Sequence, residues 1–166
     1  YRILNEKTVE KIDQKSVRTE YGKFNLILYK DLIFDETHLV LQKGKISKNS
    51  PTLVRVQQSN FFHDLLNINE FGARWSVSDS MKKINEVGKG IILLIDGENK
   101  KQDEFNEINA SKKKRITAPN NDPRRIGIGS QILRDLGVQK IKLMGSEVRY
   151  PSLSGFDLEV TEYLKK

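Results

Sequence analysis

The stretch NNDPRRIGIGSQILRDLGVQKIKLM (120–144) decides how this chain folds. Asp122 has the side chain of a helix N-cap, and Pro123 suits the first helical position, where its missing N–H costs nothing. Ile128, Ile132, Leu133 and Leu136 recur at helical spacing and give the helix one apolar face. Gly137 ends it, and KIKLM (140–144) has the length and composition of a strand. Gly127 and Gly129 complicate the reading, because a glycine inside a helix costs about 1 kcal/mol against alanine. Close helix–strand packing explains them; so does an anion held by backbone N–H groups at a helix start.

The same alternation extends towards the N-terminus. SVSDSMKKINEVG (76–88) predicts a helix capped by Ser76 or Ser78, with Val77, Met81, Ile84 and Val87 on one face and Gly88 as the stop. GIILLIDG (90–97) is apolar on both faces, which marks an interior strand. FNLILYK (24–30), THLVLQKG (37–44) and TLVRVQQS (52–59) read as further strands, and LEVTEYL (158–164) as the last one. FFHDLLNINEFGARW (61–75) settles on no period and reads as a loop folded over something. Residues 98–122 form a long polar stretch whose KKKR run (112–115) reads as a solvated loop before it reads as a phosphate contact. Residues 1–20 are polar with a weak helical period at Ile3, Leu4, Val9 and Ile12, and read as a linker or peripheral helix. The pattern predicts an α/β fold: a mixed β-sheet flanked by helices, with parallel neighbours inside the sheet.

Composition narrows the chemistry. The 166 residues suit one domain with a core, and the longest apolar run, IILLI (91–95), is too short to span a membrane. There is no cysteine, hence no disulfide, no thiolate nucleophile and no cysteine-ligated metal. A cytoplasmic setting is the default. His38 and His63 are the only imidazoles, and a zinc site would need carboxylates, none of which cluster with them in sequence. The net charge of +7 favours phosphates, nucleic acid or acidic surfaces, but a modest basic excess also simply keeps a small domain soluble. Without a pattern of stacking aromatics, nucleic acid is the last-ranked partner.

DPRRIGIGSQILRDLGVQKIKLM, followed by SGFDLEV, resembles the C-terminal part of GTP cyclohydrolase II, an enzyme of riboflavin biosynthesis. YGKFNLILY, PTLVRVQQSN and EVGKGIILLIDGE fall in the family's order, so the resemblance covers about residues 17 to 163. It implies a GTP cyclohydrolase II-like domain at 17–166. YRILNEKTVEKI resembles the linker of bifunctional proteins in which 3,4-dihydroxy-2-butanone 4-phosphate synthase precedes this domain, which makes residues 1–16 an interdomain linker. The fused synthase domain is then a covalent partner, a lyase expected to need Mg²⁺, and the family implies a homodimer. On this reading the glycines at 127 and 129 are inherited from a nucleotide-binding ancestor.

The departures from the family decide the expected activity. Its zinc is held by three cysteines, whose positions fall here at Asn60, Phe71 and Ala73. That zinc supplies the activated water for ring opening, so the domain is expected to carry no metal and not to hydrolyse GTP. The family's segment after its buried strand, which handles triphosphate and purine, keeps a match at Glu98, while Lys100 replaces an arginine. Its later threonine and lysine fall at Gly145 and Tyr150. Asp122 and Arg124 match the family's proton acceptor and its nucleophile towards the α-phosphate, yet each also reads as an ordinary helix-start residue. Arg55 is a substrate-binding match beside Glu98; Asp64 also matches, and a fold-supporting role is open to both. The expected role is structural, oligomeric or regulatory beside the synthase. The alternative is a domain that binds a nucleotide or another phosphorylated ligand with residual cyclohydrolase-type activity.

Overall fold

The alternating segments become a seven-stranded sheet in the computed structural model, which describes residues 6–58, 61–71, 74–95, 105, 106, 108, 123–145 and 153–166. The strands are β1 (Val9–Thr19), β2 (Gly22–Asp31), β3 (Glu36–Lys43), β4 (Thr52–Gln57), β5 (Gly90–Leu94), β6 (Lys140–Met144) and β7 (Glu159–Leu164). Their spatial order is β1-β2-β3-β5-β4-β6-β7. β1, β2, β3 and β5 pair antiparallel in sequence, whereas β4 pairs parallel with both β5 and β6, and β6 parallel with β7. The sheet is therefore mixed, with parallel neighbours in its interior, as the sequence predicts.

Two helices cover opposite faces: α1 (Val77–Val87) and α2 (Pro123–Asp135). Phe24, Leu53, Ile92 and Met144 pack with Met81 and Ile84 of α1. Ile27, Val54, Ile91 and Leu93 pack with Ile128, Ile132 and Leu133 of α2. The period-two alternation of Leu53 and Val54, and of Ile91 and Ile92, is what divides one sheet between two cores. β5 lies between β3 and β4 and is buried on both faces, as its run of apolar residues demands.

Local chemistry sets the helix ends. Ser76 is the N-cap of α1, its Oγ accepting from Asp79 N at 3.1 Å, which resolves the choice between Ser76 and Ser78. Gly88 adopts φ 88° and donates its N–H to Ile84 O at 2.8 Å, a left-handed stop that a side chain would strain. Val87, expected on the buried face, is the last residue of α1 and is 56% exposed. The Asp122 cap lies outside the described residues. Gly127 and Gly129 fall in the second turn of α2, not its first. A Cβ on Gly129 would stand 3.2 Å from Ile95 Cδ1 and 3.5 Å from Leu93 Cδ2, so this glycine sits where the helix meets the sheet closely.

The main correction lies at the N-terminal end. Residues read as linker or peripheral helix form β1, paired with β2 from Val9↔Asp31 to Thr19↔Gly22. Residues 10 to 16 are exposed, so no apolar alternation betrays the strand; backbone pairing and the buried anchor Val9 hold it. The unassigned segment 61–75 contains a π-helical turn at Phe61–Leu65 and a 3₁₀ turn at Asn69–Phe71. Among the described residues, no helix is long and apolar enough to cross a membrane.

Candidate functional site

β4, β5 and β6 run parallel, and the chain after β4 and after β5 leads into the N-termini of α1 and α2. Helix N-termini and strand C-termini thus gather at one edge, the place where open α/β sheets bind ligands. The alternation of β4 deals Arg55 and Gln57 to the α1 side, and Gln58, the residue after the strand, to the α2 side.

On the α1 side the polar groups close on one another. Arg55 Nε donates to Gln57 Oε1 at 2.7 Å, its NH1 to Met144 O at 3.1 Å and its NH2 to Trp75 O at 2.9 Å. The guanidinium thereby ties β4 to the end of β6 and to the segment that enters α1. Gln57 Nε2 donates to Asp64 at 3.1 and 3.3 Å, and Asp64 Oδ1 also accepts from Val77 N at 2.9 Å. Asp64, a family match for which a fold-supporting role was open, holds the π-helical turn against the first residue of α1.

On the α2 side the described contact joins α2 to the residue after β4. Arg125 NH1 donates to Gln58 Oε1 at 2.6 Å. A guanidinium has only donors, so the Gln58 oxygen must face it and the amide Nε2 points away. That Nε2 is buried and has no hydrogen-bond partner among the described residues. Gln58 and Arg125 were not singled out in the sequence; a first-turn arginine beside Arg124 was the one available signal.

The remaining expected residues are placed as follows. Arg124 lies in the first turn of α2, with its side chain outside the described residues. Asp122, Glu98, Lys100, Tyr150 and the KKKR run lie outside them. Of the positions matching the family cysteines, Asn60 and Ala73 are outside, and only the backbone of Phe71 is described, closing the 3₁₀ turn. Gly145 follows β6 and donates its N–H to Leu164 O at 2.9 Å. The sequence shows no cluster of carboxylates with either histidine, but the fold brings Asp31 and Glu36 to His38 at the end of the β2–β3 hairpin. Pairing across the turn, which spacing alone does not reveal, brings Asp31 to Glu36.

Comparison with known proteins adds the following. The family model described as GTP cyclohydrolase II matches residues 10–165. A Pseudomonas aeruginosa protein named 3,4-dihydroxy-2-butanone 4-phosphate synthase is 41% identical over 99% of this chain, which spans 45% of that protein. The riboflavin biosynthesis protein RibBA of Cytophaga hutchinsonii is 32% identical over 98% of the chain, which spans 43% of it. Among solved structures, RibBX of A. baumannii, described as a two-domain 3,4-dihydroxy-2-butanone 4-phosphate synthase, superposes with a TM-score of 0.67 at 36% identity. That match covers 99% of this chain and 42% of RibBX. The chain thus spans less than half the length of each of these proteins.

Proposed function

The chain belongs to the GTP cyclohydrolase II family, and we propose that it is a member that has lost the cyclohydrolase reaction and serves a butanone-phosphate synthase domain as a structural, dimerising or regulatory partner. One observation carries this reading: the sequence contains no cysteine, and Asn60, Phe71 and Ala73 stand where the family's zinc-binding cysteines fall. An amide, a phenyl ring and a methyl group cannot replace three thiolates around zinc. Without that ion, ring opening lacks its activated water.

Two further points support it. Arg55, the family match at the strand ends, directs Nε, NH1 and NH2 to groups of the protein's own framework. The P. aeruginosa relative and RibBX, each more than twice the length of this chain, are named for the synthase alone. The Mg²⁺ requirement then belongs to the synthase half. The test is formate release from GTP by the purified chain supplied with zinc. No formate above background is expected, and catalytic formate production overturns the reading. The supporting role is tested on the fused protein, whose synthase activity or thermal midpoint is expected to fall when this domain is deleted. No change in either removes that role.

A second reading has its own observation. Gln58 Nε2, buried beside Arg125 and without a partner among the described residues, favours a domain that still binds a nucleotide or another phosphorylated ligand without opening the ring. Calorimetric titration with GTP, GMP and ribulose 5-phosphate decides it. Heat of binding that is lost in Arg125→Ala supports it; no heat and no thermal shift at millimolar ligand dismisses it.

A further inference from the structure

Asp31 is the last residue of β2, and Glu36 and His38 open β3. The register Asp31↔Glu36 and Tyr29↔His38 puts all four on one face of the sheet, the face covered by α2. An oxygen of Asp31, an oxygen of Glu36 and a ring nitrogen of His38 lie within 4.8 Å of one another. Bonds of about 2.0–2.2 Å to one ion hold such atoms roughly 3–4 Å apart, so small side-chain rotations close the set.

Asp31 makes this more than a surface cluster. It is fully buried, as is His38, and Glu36 is half-buried. Asp31 Oδ1 accepts from Ile33 N at 2.9 Å, whereas Oδ2 is buried without a hydrogen-bond partner among the described residues. A carboxylate oxygen taken out of water and left unmatched is strongly unfavourable, and a cation is the usual remedy. Lys30 does not supply it. It points to the opposite face of β2 and pairs with Asp35 at 2.8 Å.

We propose that the end of the β2–β3 hairpin is a divalent-cation site, with Asp31, Glu36 and His38 as ligands. One imidazole with two carboxylates suits zinc or another first-row divalent ion; calcium, which takes six to eight oxygens, is poorly served. The role is structural. Leu32 N donates to Thr8 O at 2.8 Å and Val9 pairs with Asp31, so the ion stiffens the corner where β1 starts. β5 separates this corner from β4, and the site does not rest on the cyclohydrolase reading.

The test uses the untagged chain, stripped with chelator and titrated with zinc chloride by calorimetry and thermal unfolding, and with cobalt chloride by visible absorption. The expected result is one equivalent bound, a higher thermal midpoint with zinc, and the spectrum of cobalt in a protein site. Glu36→Gln, at a half-buried position that tolerates an amide, is expected to weaken zinc binding at least about tenfold with the far-ultraviolet spectrum unchanged. Asp31→Asn is expected to abolish it. No uptake at millimolar zinc overturns the proposal. So does uptake that both variants leave undiminished, since the ion then sits elsewhere, for example at His63.

Discussion

Single side chains in this domain brace strands that no short turn connects. Arg55 joins β4, the end of β6 and Trp75 through one guanidinium. Arg55→Met is expected to cost about 2–3 kcal/mol in urea unfolding, because two carbonyls and an amide lose a charged donor. Arg55→Lys is expected to recover little, since an ammonium lacks the planar fork that reaches three acceptors at once. Tyr29 and Asp135 form a second brace, with the phenol donating to Asp135 Oδ2 at 2.6 Å. Burial, and then that hydrogen bond, push the Tyr29 phenol well above its usual range, so it remains a donor at neutral pH. Burial pushes the Asp135 carboxyl up, but the hydrogen bonds from Lys7 and Tyr29 outweigh it and leave the group below its ordinary value. A carboxyl depressed in the folded state contributes stability that is complete above its unfolded value of about 3.9 and is lost as pH falls through the folded value. Asp135→Asn keeps an acceptor for Tyr29 but not the charge. It is expected to be about 1 kcal/mol less stable than wild type near neutral pH, with the gap closing when urea unfolding is repeated at about pH 3. Little of this was legible in the sequence. Arg55 was singled out, but its acceptors lie up to 89 residues away and are mostly backbone carbonyls, which sequence spacing does not encode.

Elements were more legible than their contacts. Helices α1 and α2 and the strands from β2 onward follow from apolar period and from turn and glycine signals, because each of these patterns is local. β1 fails that rule for a physical reason: its residues 10 to 16 are solvent-facing, and its partner is supplied by the neighbouring strand. The turns between Phe61 and Phe71 have no period to read. Ser76→Ala is expected to cost about 1 kcal/mol in thermal unfolding, with loss of the bond to Asp79 N. The glycines of α2 allow a sharper comparison. A methyl at Gly129 meets the flexible end of Ile95 at 3.2 Å while gaining about 1 kcal/mol of helix propensity. Gly129→Ala is therefore expected to lie within about 1 kcal/mol of wild type, and Gly129→Leu to lose more than about 2 kcal/mol by overpacking. Ordinary tolerance of leucine there would mean that the close approach of α2 to β5 is not what selects a glycine.

At the scale of the whole molecule, one sheet runs through both cores, and its register ties distant parts of the chain together. Val54 of β4 stands opposite Leu143 of β6, so the parallel half assembles only when most of the chain is present. Unfolding of the described domain is accordingly expected as one transition, with circular dichroism and fluorescence giving the same midpoint; two separated midpoints would contradict a shared sheet. The fluorescence comes from a single indole. Trp75 is the chain's only tryptophan, its Nε1 donates to Leu164 O at 3.1 Å and its carbonyl accepts from Arg55. The molecule thus carries an optical gauge wired at one end to the last residue of β7 and at the other to the brace beneath the strand tips. Peeling away the C-terminal strand, or re-aiming that arginine, shifts the emission without any label being attached.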